Sequence, residues 1–335
     1  MTDSRFSLFR LPFLALCKVL DFYGPHDIIQ LSFCSKRSLR VTKKCWKKKG
    51  KIMAYLWADI GPRVSLYFYD SGFGYRFVIS EVQYLHNQQT QMIRIGDAVI
   101  PSIHRDRETV TYWKNTITGI EEIVRYIKYL FDVPITSIDL RSEDYKNEFI
   151  ETMDCIMSMQ GSVEDCTLHS EDSTDECLTH LLNNCKITEK LRLYEGPARK
   201  FKNEWKICPK YLHISYGLCL TFQNLTNINC QSLKIQRSSL TSEDVNQFLK
   251  HWQNGGNSRI RYVYIVINFM NHEVVTSGIE TVPQPETVRR CYPCSNLTVM
   301  INGGLDIKRN DGKTGTIYIH GDMFRFGVDP IDGFS

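Results

Sequence analysis

No apolar run in this chain approaches the roughly 18 residues that a membrane-spanning helix needs, so no membrane partner is expected. Near the N-terminus Arg10, Lys18 and Asp21 interrupt every apolar window, which argues against a signal peptide. Without export, the 12 cysteines are expected as free thiols in a reducing compartment, the cytoplasm or the nucleus. They are spread along the chain, with Cys155, Cys166 and Cys177, and again Cys208, Cys219 and Cys230, recurring every 11 residues. Cys166 is expected to pack as a small hydrophobe. The sequons at Asn224 and Asn296 then carry no glycosylation meaning. Catalytic motifs are missing too. The sequence has no Gly-x-Ser-x-Gly elbow, no Gly-x-x-x-x-Gly-Lys-Ser/Thr phosphate loop and no His-Glu-x-x-His helix. Cys291-x-x-Cys294 is a lone pair with only His272 upstream, short of the four ligands of a structural zinc site. Glu176 and His180 share one face of an expected helix and read as a surface pair. No metal, cofactor or enzymatic activity is expected.

Acid is scarce where base is plentiful. Residues 1–51 hold 12 Lys or Arg against three Asp and no Glu, a net of +9. The whole chain carries +4, so the remainder stands at about −5. The excess culminates in Lys43-Lys44-Cys45-Trp46-Lys47-Lys48-Lys49-Gly50-Lys51. A basic face on a small module implies an acidic partner: nucleic acid, a membrane surface or an acidic protein.

Residues 1–50 read as three short helices. Pro12 suits a first helical turn, Gly24-Pro25 separates the first helix from the second, and Ser35 is placed to cap the third. Leu11, Leu14, Leu16, Val19, Leu20 and Phe22 put apolar groups around most of the first helix, so more than one side must be covered. Trp46 is expected to anchor the third helix into the neighbouring domain. Residues 51–134 read as a connecting region of β-hairpins and one amphipathic helix. Val64–Tyr69 and Tyr75–Ile79 form a hairpin, and strands come next at Met92–Ile95, Ala98–Ile103 and Thr109–Trp113. Apolar residues from Ile117 to Phe131 recur at helical spacing behind a capping box at Thr118 and Glu121.

Residues 135–270 repeat one theme. Six apolar-x-apolar cores, Ile138–Leu140, Cys166–Leu168, Leu191–Leu193, Leu212–Ile214, Leu233–Ile235 and Val263–Ile265, end 28, 25, 21, 21 and 30 residues apart. Helical stripes lie between them at Phe149–Met157, at Cys177–Leu182 behind Ser173 and Glu176, and at Val245–Trp252. The two 21-residue units are expected to return through loops. Such intervals suit a leucine-rich-repeat-like array of parallel strands, although its asparagine ladder is mostly missing. The alternative is an ordinary α/β domain with evenly spaced strands. Residues 271–335 read as an antiparallel meander, with turns at Asn302-Gly303-Gly304 and at Asn310-Asp311-Gly312. The fold class is thus α+β with an α/β repeat.

The order Leu11-Pro12, then Leu16-x-x-Val19-Leu20, then Asp27-Ile28-Ile29-x-Leu31-Ser32, then Ser35-Lys36 resembles an F-box. With Leu240–Trp252, Ile260–Phe269 and Asp306–Phe326, the whole resembles the large nematode-type family whose members carry an F-box-associated region, here about residues 230–330. The resemblance implies a non-catalytic substrate receptor of an SCF-type cullin–RING ubiquitin ligase. It implies an acidic adaptor, with cullin and RING subunits beyond it, docked through Leu11, Pro12, Leu16, Val19, Leu20, Ile28, Ile29, Leu31, Ser35 and Lys36. The residues alternating with the strand cores would then face an unknown target. These are Asp139, Arg141, His169, Arg192, Tyr194, His213, Lys234, Gln236 and Tyr264, basic on balance, which suits an acidic or phosphorylated segment. The site residues proposed for the target are Arg141, His169, Arg192, Tyr194, His213, Lys234 and Tyr264. Two rival readings stand beside this one: a nucleic-acid-binding protein using Lys43–Lys51 and Trp46, and an interaction scaffold outside any ligase.

Overall fold

The computed structural model describes residues 8–46, 51–59, 61–86, 88–141, 146–169, 175–194, 205, 208–295 and 297–330. The chain forms two compact units. The first comprises residues 1–138 with Ser158–Gln160, and the second comprises Asp139–Met157 and residues 161–335.

The first unit opens with helices α1 (Phe13–Leu20), α2 (Pro25–Phe33) and α3 (Lys36–Cys45). Pro25 takes the first turn of α2, where its missing N–H costs nothing, and the Asp27 carboxylate accepts from Gly24 N at 3.2 Å. Ser35 Oγ accepts from Ser38 N at 3.0 Å and caps α3 as expected. The cysteines are not all free thiols. Cys17 of α1 and Cys45 of α3 are joined as a disulfide, their Cα atoms 4.8 Å apart, because the two helices bring them together across 28 residues.

Next along the chain are strands β1 (Ile52–Ala58), β2 (Arg63–Phe68), β3 (Phe73–Glu81), β4 (Gln91–Ile95), β5 (Ala98–Arg105) and β6 (Glu108–Trp113), then α4 (Thr116–Phe131) and β7 (Ile135–Arg141). In this unit the order is β7-β1-β2-β3-β6-β5-β4. β3 and β6 run parallel, while β1–β2–β3 and β4–β5–β6 pair antiparallel. β1 lies outside the strands expected from the sequence, and its alternate residues Ile52, Ala54 and Leu56 are buried. The cap of α4 also differs from expectation. Asn115, not Thr118, supplies it, accepting from Thr118 N at 2.8 Å. α4 buries Ile120, Ile123, Val124, Ile127 and Leu130. Trp46 at the end of α3 meets Phe131 edge-on at 5.3 Å and Phe68 at 6.4 Å, the anchor that its sequence position suggests.

β7 passes from the first unit into the second at Asp139. Beyond it come α5 (Lys146–Gln160), β8 (Val163–His169), α6 (Asp175–Asn184), β9 (Ile187–Leu193), β10 (Tyr211–Ile214), α7 (Phe222–Asn227), β11 (Ser232–Ser238), α8 (Ser242–Gln253), β12 (Tyr262–Ile267) and α9 (His272–Thr276). β8 through β12 lie side by side and parallel, and every apolar-x-apolar core from Cys166 to Ile265 falls in one of them. Ser173, expected to cap α6, lies outside the described residues. Thr241 and Asp244 close a reciprocal box at the start of α8, whose Val245, Phe248, Leu249 and Trp252 are buried. The return between β10 and β11 is not loop alone, since α7 occupies six residues of it.

The C-terminal strands are β13 (Val282–Cys294), β14 (Leu297–Lys308), β15 (Thr314–His320) and β16 (Met323–Val328). They pair antiparallel in chain order, and β16 pairs antiparallel with β12. The Asn310–Gly312 turn forms, whereas Asn302-Gly303-Gly304 is no turn. It lies inside β14, where Gly303 and Gly304 have φ of 66° and 105°. A Cβ on Gly304 would stand 2.4 Å from Ile317 O, so the irregularity there needs glycine twice over, for its dihedral and for its space.

Candidate functional site

The ten residues expected at the adaptor surface divide by burial. Leu16, Leu20, Ile28 and Ile29 are buried within the chain, where they set the positions of α1 and α2 and are not available as contacts. Leu11, Val19, Leu31 and Ser35 are half-buried, and Pro12 and Lys36 are exposed. Lys36 pairs with Asp97 between β4 and β5. Three apolar side chains of the same stretch are open to solvent: Phe13 is 51% exposed, Leu14 80% and Phe22 90%. An unpaired apolar trio on a short helix and the turn after it is the kind of surface a partner covers. Within the basic run, Lys43 is already engaged, bonding Tyr129 O and lying 4.4 Å above the Tyr129 ring, while Lys47–Gly50 lie outside the described residues.

In the second unit the strand register builds a transverse row. Thr167, Arg192, His213, Lys234, Tyr264, Arg325 and Tyr318 are successive partners across β8, β9, β10, β11, β12, β16 and β15. Because side chains alternate along a strand, all seven share one face. Lys234 Nζ lies 5.7 Å from the Tyr264 ring, and the Arg325 guanidinium stands 5.9 and 5.8 Å from the rings of Tyr264 and Tyr318. One step along the strands, Tyr194 stacks on His169 at 4.7 Å and meets the His213 ring at 5.7 Å. Among the described residues no carboxylate lies within ion-pair distance of Arg192, Lys234 or Arg325. Nearby acids are taken instead: Asp165 by Lys190, Asp139 by His169 and Asp306 by Arg290. The face therefore carries three uncompensated permanent cations beside aromatic rings, an arrangement suited to acidic ligands. On the same face, Tyr292 and Ile301 of the β13–β14 hairpin pack with Tyr262, and Tyr264, Cys294, Val299 and Tyr318 gather around them.

Six of the seven expected target-facing residues thus come together. The seventh, Arg141, is exposed at the end of β7 and takes no part in the stack among the described residues. Period-two reading from the repeat cores reaches Arg192, His213, Lys234 and Tyr264, but it misses Arg325 and Tyr318. They belong to the C-terminal meander, and no sequence signal shows that β16 adds to the same sheet. His180, read beside Glu176, has its ring on Asp154 at 2.8 Å and Asn184 at 3.1 Å. Cys166 and Cys230 are wholly buried, and burial pushes both thiols up, Cys230 to about 12, as suits packing groups and not nucleophiles.

His213 is held neutral. Burial lowers its pKa most, with the charges of Lys234 and Arg192 adding, while a hydrogen bond to Gln236 at 3.1 Å opposes them. Its folded pKa is depressed, so the unfolded chain binds the proton more readily, and stability is full above the unfolded value of about 6.5. Urea midpoints should therefore fall as pH is lowered from about 7.5 to 5.5. His213→Gln should remove part of that fall, leaving the part owed to His104, whose pKa burial also lowers. An unchanged pH slope in the variant would show that His213 titrates alike in both states.

Residues 8–50 match the F-box domain model and residues 204–265 match the model described as F-box associated. Skn-1 dependent zygotic transcript 15 protein of Caenorhabditis elegans is 22% identical over 301 residues, covering 83% of this chain and 84% of its own. An uncharacterized protein of the same species is 20% identical over 345 residues, covering 94% of this chain and 74% of its own. No solved structure matches. The three helices correspond to the first match, and β10, α7, β11, α8 and most of β12 to the second.

Proposed function

We propose that this chain, which carries an N-terminal F-box and an F-box-associated region nearer its C-terminus, is a substrate-recognition subunit of an SCF-type cullin–RING ubiquitin ligase. F-box domains bind the adaptor subunit of such ligases. The observation that carries the reading is the exposed trio Phe13, Leu14 and Phe22 inside the F-box match, with half-buried Leu11, Val19 and Leu31, Ser35 and the exposed Pro12 and Lys36 completing the contact set. Leu16, Leu20, Ile28 and Ile29 hold those groups in position. The +9 of residues 1–51 favours an acidic adaptor and would act chiefly on association rate and specificity.

The parallel strands β8–β12, read as a leucine-rich-repeat-like array, present the target surface. Function is then bridging. The helices hold the adaptor and, through it, cullin and RING subunits, while the sheet face holds a target. Ubiquitin transfer gains from the raised local concentration of that target. No residue of this chain touches the chemistry. We place the protein in the cytoplasm or nucleus. The nucleic-acid rival loses ground because Trp46 is packed against Phe131 and Phe68 and so offers no stacking platform.

Co-expression with the SCF adaptor and subsequent affinity purification tests the reading. The wild type should bring the adaptor down. Leu14→Asp with Phe22→Asp should weaken the complex at least a hundredfold, since two lost apolar contacts of about 1.5 kcal/mol each amount to about two decades. Both side chains are exposed, so the melting temperature of the chain should hold. A wild-type chain that captures no adaptor sinks the proposal.

A further inference from the structure

We infer that the first unit binds a long-chain carboxylate in a groove between α3, the start of α4 and the β4–β5 hairpin. The inference goes beyond the receptor reading and needs neither adaptor nor target. The groove holds about 950 Å³. That is near the top of the range of about 300–1,000 Å³ usual for small-ligand sites. Leu39, Val82, Val99, Ile100, Trp113 and Tyr129 give it an apolar lining. Val82, Val99 and Tyr129 are exposed, so this lining stands open to solvent and is not packed by the chain itself.

The walls are held by the turn of the hairpin. Ile95 pairs with Ala98, so the turn itself is Gly96-Asp97. On one side the Asp97 carboxylate pairs with Lys36 of α3. On the other, Gly96 lies against α4, where a Cβ would stand 2.6 Å from Glu122 Oε2. The turn is thus tied to one helix and abuts the other. Val99 and Ile100, just beyond it, line the space that the two helices leave.

Charge decides the class of occupant. The groove is lined by the cations Lys36, Arg40, Lys114 and Arg125 and by the carboxylates Asp97 and Glu122. Both carboxylates are taken, Asp97 by Lys36 and Glu122 by Arg125 at 3.3 Å. Arg40 and Lys114 pair with no carboxylate among the described residues. Arg40 donates from Nε to Lys36 O at 3.3 Å, which leaves both terminal nitrogens for a ligand. An occupant must therefore bring apolar surface for the lining and negative charge for the rim. A carboxylate head accepts a charge-assisted fork from a guanidinium, and its hydrocarbon chain leaves water along the lining. Neutral and cationic amphiphiles leave the two cations unanswered, and a nucleic acid brings charge without the apolar body.

Isothermal titration calorimetry on the full chain tests this, with decanoate as the probe and hexanoate, decanol and decyltrimethylammonium beside it. Decanoate should saturate a single site, about tenfold more tightly than decanol or the ammonium, the effect of two exposed ion pairs. Hexanoate should bind at least about tenfold more weakly than decanoate, because each buried methylene is worth about fourfold. Arg40→Ala/Lys114→Ala should bring decanoate down to the level of decanol. Val99→Asp should abolish binding of decanoate and decanol while the melting temperature holds, since that side chain is exposed. Leu14→Asp/Phe22→Asp should bind decanoate as the wild type does. An absence of saturable decanoate binding overturns the inference, as does binding that survives Val99→Asp, or decanol or the ammonium bound as tightly as decanoate. Co-sedimentation with phosphatidylserine vesicles that Val99→Asp abolishes would give the groove to a membrane surface and overturn it too. Adaptor capture is read separately. A chain that captures adaptor but binds no decanoate overturns this inference alone. One that binds decanoate but captures no adaptor overturns the receptor reading alone.

Discussion

Asp306→Ala should lower the unfolding free energy by about 3 kcal/mol, the low end of what removing one partner of a buried ion pair costs. Asp306 is 8% exposed and accepts a fork from Arg290, Nη1 to Oδ1 at 2.8 Å and Nη2 to Oδ2 at 3.0 Å. Thr316 Oγ1 donates to Oδ1 at 2.8 Å, and accepts from Arg290 Nη1 at 2.9 Å and from the Tyr292 hydroxyl at 3.1 Å. Four side chains from β13, β14 and β15 therefore satisfy one another. Deleting the carboxylate leaves a half-buried guanidinium without its counter-charge and a threonine hydroxyl without its acceptor. The Arg290 side chain is 21% exposed, so water recovers part of the loss and the low end of the range applies. Urea unfolding of Asp306→Ala and of Arg290→Met/Asp306→Leu separates the two components. The double variant should regain most of the stability, because neither charge is then stranded. A single variant within about 1 kcal/mol of wild type would mean that the network contributes little beyond packing. Tyr292 belongs to the cluster against which Tyr264 and Tyr318 of the cationic row pack, so the loss should also loosen that end of the row.

The contrast between this network and the strand cores shows what is legible in the sequence. Cys166–Leu168 through Val263–Ile265 can be read because a strand buried on one face writes its period directly into the chain. The helices α4 and α8 are readable for the same reason at their own period. β13 is not, since Pro283, Pro285 and Pro293 argue against a strand. It escapes that rule by pairing only with β14, so prolines there need not interrupt a second ladder. β14 reads as two strands because Asn302-Gly303-Gly304 carries the chemistry of a hairpin turn. In three dimensions the glycines are required by the closeness of Ile317 O, a contact no local pattern encodes. β1 comes directly after the lysine run, whose charge masks the start of the sheet. The Cys17–Cys45 bond depends on how α1 meets α3, which spacing alone leaves open. The candidate site divides in the same way. Alternation locates Arg192, His213, Lys234 and Tyr264, while Arg237 escapes it because the break in β11 shifts the alternation at that point, and Tyr216 because it lies beyond the end of β10.

Gly119→Ala should destabilise the first unit, against the gain of about 1 kcal/mol that alanine brings to a helix interior. Gly119 lies in α4 where the helix crosses the sheet. A Cβ there would stand 2.5 Å from Ile79 Cγ2 and 2.8 Å from Trp113 Cδ1. Neither neighbour can yield cheaply, since Ile79 is 1% exposed and Trp113 3%, and the indole is tied by a 2.9 Å hydrogen bond from Nε1 to Thr111. Forcing a methyl into such a site costs about 1–3 kcal/mol, so the net change is a loss of up to about 2 kcal/mol for alanine, and Gly119→Val should lose more. The displacement should not stay local. Tyr126, two turns along α4, hydrogen-bonds Ser32 of α2 and stacks on Phe33 at 5.5 Å. Tyr129 holds Lys43 of α3. A lifted α4 thus disturbs the seat of α2 and α3, and adaptor capture should fall together with the melting temperature. In Leu14→Asp/Phe22→Asp capture falls while the melting temperature holds, so the pair of measurements separates contact residues from the residues that position them. A Gly119→Ala chain as stable as wild type would show that α4 has room to slide on the sheet, and the positioning argument would fail there.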